Sequence, residues 1–113
     1  MREKISRYVY VGELVDIYGN FFDERTKNML EKYYFENISC NEIAEEYSLS
    51  KQRVHKIIKN AEKKMLFLEN RLGFLEFFRE ILKLCRKYED KNPDIINELK
   101  KIIQNKRENL KDV

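Results

Sequence analysis

The stretch from residue 38 to 61, ISCNEIAEEYSLSKQRVHKIIKNA, constrains the fold most, because it holds two helix starts separated by one short helix and a tight connection. Ser39 with Glu42 three residues on is a capping box, in which the serine oxygen takes the Glu42 amide and the Glu42 carboxylate reaches back to the Ser39 amide. Ile38 and Ile43 stand at the hydrophobic-staple positions around it. Ser50 is the second N-cap, with Leu49 before it and Val54 after it in the same relationship. Between the two lies a helix of barely two turns and a turn of about three residues, the format of a helix-turn-helix. Ala44 is small where the two helices would touch. Ser48 occupies the turn position that favours glycine, where a positive φ costs any residue with a Cβ.

What surrounds this unit is helical by composition. Three glycines and one proline in 113 residues, with 38% of residues charged, favour solvated helices over sheet, and the length supports one domain with a modest core. Lys and Arg number 23 against 20 Asp and Glu, a net charge of +3, so the distribution of charge and not its total must carry any argument for a polyanionic partner. Cys40 and Cys85 are far apart and His55 is the single histidine, which leaves no zinc ligand set and suits a reducing cytosol. No apolar run approaches the ~18 residues of a membrane span and no signal-peptide pattern opens the chain. A cytoplasmic protein with no cofactor, no metal and no membrane association is expected.

In chain order, residues 5–19 predict a first helix with Tyr8, Val11, Leu14, Val15 and Tyr18 on one stripe, ended by Gly19-Asn20. Asp23 caps a second helix running to about Phe35, whose Met29, Leu30, Tyr33 and Tyr34 would pack on the first helix and on Ile43. The helix starting at Ser50 continues its apolar pattern through Val54, Ile58, Ala61, Met65, Leu68, Leu72 and Leu75 in steps of four and three, a coiled-coil-like seam of about three heptads that Gly73 bends or ends. Phe74, Phe78, Ile81, Leu82, Cys85 and Tyr88 mark a further helix. Asn92-Pro93 starts the last one, to about Arg107, with Ile95, Ile96, Leu99, Ile102 and Ile103 on one side. The fold class is therefore all-α. Residues 1–72 form a helix-turn-helix domain, with the motif itself at about 39–60, and residues 73–113 form a C-terminal helical extension for packing or dimerisation. The last two helices are expected to fold as an antiparallel hairpin against the long one. The surplus of apolar stripes leaves three outcomes, packing within the chain, dimerisation or docking of another protein, of which a homodimer presenting two reading helices is favoured.

Two faces of the helix after Ser50 differ in kind. Steps of about 100° place Val54, Ile57, Ile58 and Ala61 on one side and Gln52, Lys56, Lys59 and Lys63 on the other, with Arg53, His55 and Asn60 flanking the polar side. Glu62 is the only acid between Lys51 and Lys64, whereas the preceding short helix carries Glu42, Glu45 and Glu46. Major-groove reading asks for this arrangement: donors on the N-terminal half for base edges, and cations beyond them for phosphate. Gln52, Arg53, Lys56 and Lys59 are the groove-facing candidates, and Ser50, Lys51, Asn60 and Lys63 the phosphate-facing ones. A lysine-rich face can also be merely solvated, and its place on the second helix of this motif is what argues otherwise. His55 has no serine or cysteine nucleophile with a carboxylate partner beside it in the sequence, so it is expected to bond nucleic acid or solvent, and the chain is not expected to be an enzyme.

Residues 13–65, ELVDIYGNFFDERTKNMLEKYYFENISCNEIAEEYSLSKQRVHKIIKNAEKKM, carry a family resemblance that extends to Leu75. In order and spacing, Leu14-x-Asp16-x-Tyr18, Leu30-x-x-Tyr33-Tyr34, Glu42-Ile43-Ala44-Glu45-Glu46 and Ser50-x-Gln52-x-Val54 resemble the YlxM family of small bacterial proteins, whose helix-turn-helix is similar to region 4 of sigma factors. The resemblance implies a nucleic-acid-binding protein, encoded beside the signal recognition particle GTPase and linked to that pathway. Duplex DNA is the favoured ligand; the particle's structured RNA, or its GTPase, is the alternative partner. Arg53-Val54-His55 departs from the Ala-Val-Tyr that many members have, so what this helix reads is expected to differ from its relatives.

Overall fold

A computed structural model describes the chain from residue 2 to residue 111, with side chains described from residue 6 onward; the expected outer limits of the two units, Met1 and Val113, lie outside the described residues. Six helices follow in order among them: α1 (Arg2–Tyr18), α2 (Glu24–Tyr34), α3 (Cys40–Tyr47), α4 (Lys51–Leu72), α5 (Phe74–Tyr88) and α6 (Pro93–Lys111), with a short 3-10 turn at Gly19–Phe21. The chain is all-α, and α3, its turn and α4 form the helix-turn-helix.

The helix starts lie where the polar residues put them. Asp23 accepts from the Thr26 amide at 2.9 Å, Ser39 from Glu42 at 3.2 Å and Ser50 from Arg53 at 3.1 Å. The capping box at Ser39 differs in its second half. The Glu42 carboxylate receives the Ser39 hydroxyl at 3.3 Å, not the Ser39 amide. Ile43 and Val54 are fully buried, with Ile38 and Leu49 half-buried beside the same core.

The α3–α4 turn is tight because Ser48 takes the left-handed conformation, φ 56°. The Leu49 amide reaches the Ala44 carbonyl at 2.9 Å and the Ser48 amide reaches Glu45 at 3.3 Å, the pair of bonds of a Schellman ending. Asn37 also has a positive φ, 57°, and lets the Ile38 amide turn back to the Lys32 carbonyl at 3.0 Å.

The core centres on α1, which packs against α2 and α4 on one flank and against α5 and α6 on the other. Val11, Leu14, Val15, Met29, Leu30, Ile43, Val54, Ile58 and Met65 are buried together on the first flank. Tyr8 packs its ring 5.7 Å from Tyr33 and 5.2 Å from Tyr34 and donates to the Tyr33 carbonyl. The seam of α4 is buried from Val54 to Met65 but half-buried at Leu68 and exposed at Leu72, and because the helix stops at Gly73, φ 65°, Leu75 belongs to α5 and not to the seam.

The last two helices do form an antiparallel hairpin, pinned by Lys100 to Glu89 at 2.6 Å and by Arg107 over the Phe78 ring at 5.7 Å. Its seat corrects the expectation from sequence: the hairpin lies on α1, not along α4. Glu13 pairs with Arg79 at 2.5 Å and Asp16 with Arg107 across this contact, and Ile17 is buried with Leu75 and Phe78 at its edge. The physical reason is the abrupt reversal at Gly73, where Glu69 receives the Leu75 and Glu76 amides at 3.0 and 3.1 Å and the Tyr18 hydroxyl at 2.6 Å. Tyr18 in turn accepts from the Phe74 amide at 3.4 Å. A glycine has no side chain with which to cap α5, so Glu69 and Tyr18 do so, and α5 is aimed from the end of α1.

Candidate nucleic-acid interface

The nine residues singled out from sequence all sit on or at the start of α4, and all are exposed: Ser50, Lys51, Gln52, Arg53, His55, Lys56, Lys59, Asn60 and Lys63. Seven of them, Lys51, Gln52, His55, Lys56, Lys59, Asn60 and Lys63, line one shallow open depression. Arg53 lies on its flank and Ser50 at the helix end, its hydroxyl oxygen already accepting from the Arg53 amide. The opposite face is inside: Val54, Ile58 and Ala61 are buried and Ile57 half-buried. Because the buried stripe is anchored to α1, α2 and α3, the polar stripe cannot rotate out of view of solvent.

Glu62, the one acid in this stretch, does not belong to the outer face. It is 4% exposed, and its carboxylate receives the Arg7 guanidinium at 2.6 Å and the Tyr34 hydroxyl at 3.3 Å, with the Lys59 ammonium at 3.6 Å. Burial by itself would raise the Glu62 carboxyl. Arg7, Lys59 and Tyr34 together outweigh burial and hold it below the usual carboxylate range. Burial and the neighbouring carboxylate push the Tyr34 phenol upward, so it remains a donor. The consequence for the interface is electrostatic: the acid is neutralised within the fold, and the outer ridge keeps its positive sign. The sequence singled out Glu62 only as the one acid of the stretch, and nothing in it marked Arg7, 55 residues away, as its partner.

The acids of α3 are partly engaged as well. Glu46 pairs with Lys32 at 3.2 Å and Glu42 holds the Ser39 hydroxyl. Cys40 is half-buried, and burial pushes its thiol up against the opposing pull of Lys51 and Lys59. Among the described residues no group of three or more His, Cys, Asp or Glu side chains could hold a metal ion, and no helix is long and apolar enough to cross a membrane.

A family profile described as "Putative helix-turn-helix protein, YlxM / p13 like" (UPF0122) matches residues 5–113. A protein of Desulforamulus reducens is 39% identical over 70 residues, covering 62% of this chain and 60% of its own length. One of Clostridium kluyveri is 33% identical over 100 residues, covering 81% of this chain and 90% of its own. A third, from Clostridium acetobutylicum, is 35% identical over 83 residues, 74% of this chain and 72% of its own. Each of these is named only as a UPF0122 protein. No solved structure matches the chain.

Proposed function

The chain belongs to the YlxM/p13-like helix-turn-helix family, and from that premise we propose that it is a cytoplasmic DNA-binding regulator, not an enzyme, whose α4 enters the major groove of duplex DNA. The observation that carries this reading is the segregation on α4: Gln52, Lys56, Lys59 and Lys63 are all exposed, while the helix's only acid before Glu69, Glu62, is buried against Arg7 and also draws the Lys59 ammonium to 3.6 Å. Gln52, Arg53, Lys56 and Lys59 are the groove-facing donors. Ser50, Lys51, Asn60 and Lys63 hold phosphates, and His55 bonds at the flank.

Binding to a duplex should therefore fall steeply with salt, and Lys56→Glu should remove most of it, since it puts a negative charge in the middle of the ridge. A gel-shift series in which no duplex is retarded at low salt would sink the reading.

A homodimer is the second element of the proposal. The face of the α5–α6 hairpin turned away from α1 is a groove lined by Leu84, Tyr88, Ile95 and Leu99, with Ile95 60% and Leu84 56% exposed. The radius of gyration, 16.6 Å, exceeds the ~13 Å of a compact domain of this length, so the hairpin leaves apolar surface outside the common core. A second copy packed on it would present two α4 helices and favour a palindromic site. Sedimentation giving a monomer at every concentration would remove this element alone.

The alternative reading, in which the same ridge rests on structured RNA or on the GTPase of the signal recognition particle, is supported by family resemblance. A-form RNA has a deep, narrow major groove that side chains cannot read, so on this reading the exposed ridge would bind by shape and phosphate contacts. Retention of the particle's RNA or GTPase by the wild-type chain, lost with Lys56→Glu, would favour it over DNA.

A further inference from the structure

The outward face of α4 does not end with its lysines. One turn beyond Lys63, about 6 Å along the axis, Phe67 stands 56% exposed, with the Arg71 guanidinium 5.2 Å from its ring centroid. Beside it, the Lys64 ammonium lies 5.2 Å from the ring of Phe22, which reaches the helix from the end of the 3-10 turn. Lys63, Lys64, Asn70 and Arg71 around Phe67 are all exposed. Phe67 is the only exposed apolar side chain of α4 from Lys51 to Arg71, and at 100° per residue Leu72 falls away from it, on the other side of the helix.

That setting distinguishes it from a protein-docking patch, whose core is apolar and whose cations lie at the rim. Here the proportion is reversed: one flat ring sits in a field of cations continuous with the phosphate-facing ridge. An intact duplex has no π-face to offer such a ring, because its bases are stacked on one another. An unpaired base does, and stacking on an aromatic side chain beside a positive backbone track is how single strands are held. Arg71 is placed to cover the stack by cation–π contact or to meet the phosphate of the stacked nucleotide.

We infer that Phe67 and Arg71 form a base-stacking site at the far end of the α4 ridge, and that the nucleic acid bound there is a duplex with an unpaired nucleotide where it leaves the groove. The inference rests on the reading of α4 as a polyanion-binding helix and adds the class of ligand. Phe67 is exposed and outside the core, so its replacement should leave the fold intact.

The test uses the full chain and fluorescence anisotropy on a short blunt duplex and on the same duplex carrying a single-stranded extension, each made in DNA and in RNA. Wild-type protein should prefer the extended form by roughly tenfold, the low-to-middle part of the range for one stacked base. Phe67→Ala should abolish that preference while leaving blunt-duplex affinity unchanged, and Phe67→Trp should restore it. Whether the preference is larger in the DNA or the RNA pair identifies the source of the unpaired base. Equal affinity of the wild type for blunt and extended forms, or a Phe67→Ala variant that keeps the preference, overturns the stacking site but not the ridge. Binding of neither form by the wild type overturns both.

Discussion

The two flanks of α1 hold their partners by different means. Toward α2 and α4 the contact is apolar and close-packed, with Leu14, Met29, Leu30, Val54 and Met65 fully buried. Toward α5 and α6 burial is slightly less complete, at Ile17, Leu75, Phe78, Ile103 and Leu110, and the contact is framed by half-exposed ion pairs, Glu13 with Arg79 and Asp16 with Arg107. Burying a large apolar side chain stabilises by about 1.5–3 kcal/mol, whereas a surface ion pair contributes about 0–1 kcal/mol. On these magnitudes the helix-turn-helix half, or frame, is expected to be the more stable of the two, and the hairpin the part that opens first.

The strongest way to break that comparison is to cut into the frame. Leu30→Ala removes a fully buried side chain and should cost about 2–5 kcal/mol, lowering the urea midpoint of the whole chain. A loss below about 1 kcal/mol would show that the frame is not where the stability lies. Next comes Glu69→Ala, which takes the cap from α5 and should cost about 1–2 kcal/mol. Amide exchange at residues 74–76 should accelerate more than at residues 54–58. Equal acceleration in both segments would mean that the hairpin and the frame open as one unit.

A smaller, pH-dependent effect sharpens the picture of the frame itself. The Glu62 carboxyl is held below its ordinary value, so its stabilisation is fully present above the ordinary glutamate range near ~4.3 and is lost as pH falls through the folded value. The stability difference between wild type and Glu62→Gln should therefore shrink as the pH is taken below about 4. A difference that stays constant through that range would remove Arg7 and Lys59 from the account. The smallest effect expected is a gain. Gly12 lies within α1, and a Cβ there would meet Phe35 and Tyr34 at 3.8 Å, ordinary contact. Gly12→Ala should add about 0.5–1 kcal/mol of stability, and a drop in melting temperature would mean that α1 and α2 are closer than that distance allows.

How far each half was legible in the sequence follows the same division. Asp23, Ser39 and Ser50 announce their helices because a cap is a local bond between residues three apart, and the 3.6-residue period of α4 reveals its buried side wherever that side faces. The left-handed turn at Ser48 could be placed from spacing alone, with serine where glycine is easier. Asn37 takes the same conformation after α2. Ile17 escaped notice because α1 is buried on two flanks, and a single-stripe pattern describes only one. Glu69 as the cap of α5 escaped too, since it acts across a glycine break together with Tyr18, 51 residues away.

Alone, the amino-acid order determined that six helices would form among the described residues, where most of them start, and that one side of α4 would be cationic. Those outcomes rest on caps, propensity and periodicity, which act within a few residues. Only the tertiary structure decided that the hairpin lies on α1, that Glu62 is spent on Arg7 and that Phe67 remains in the open. Each depends on which of several competing surfaces meet, and that choice is made by the summed packing and ion pairing of residues far apart in the chain.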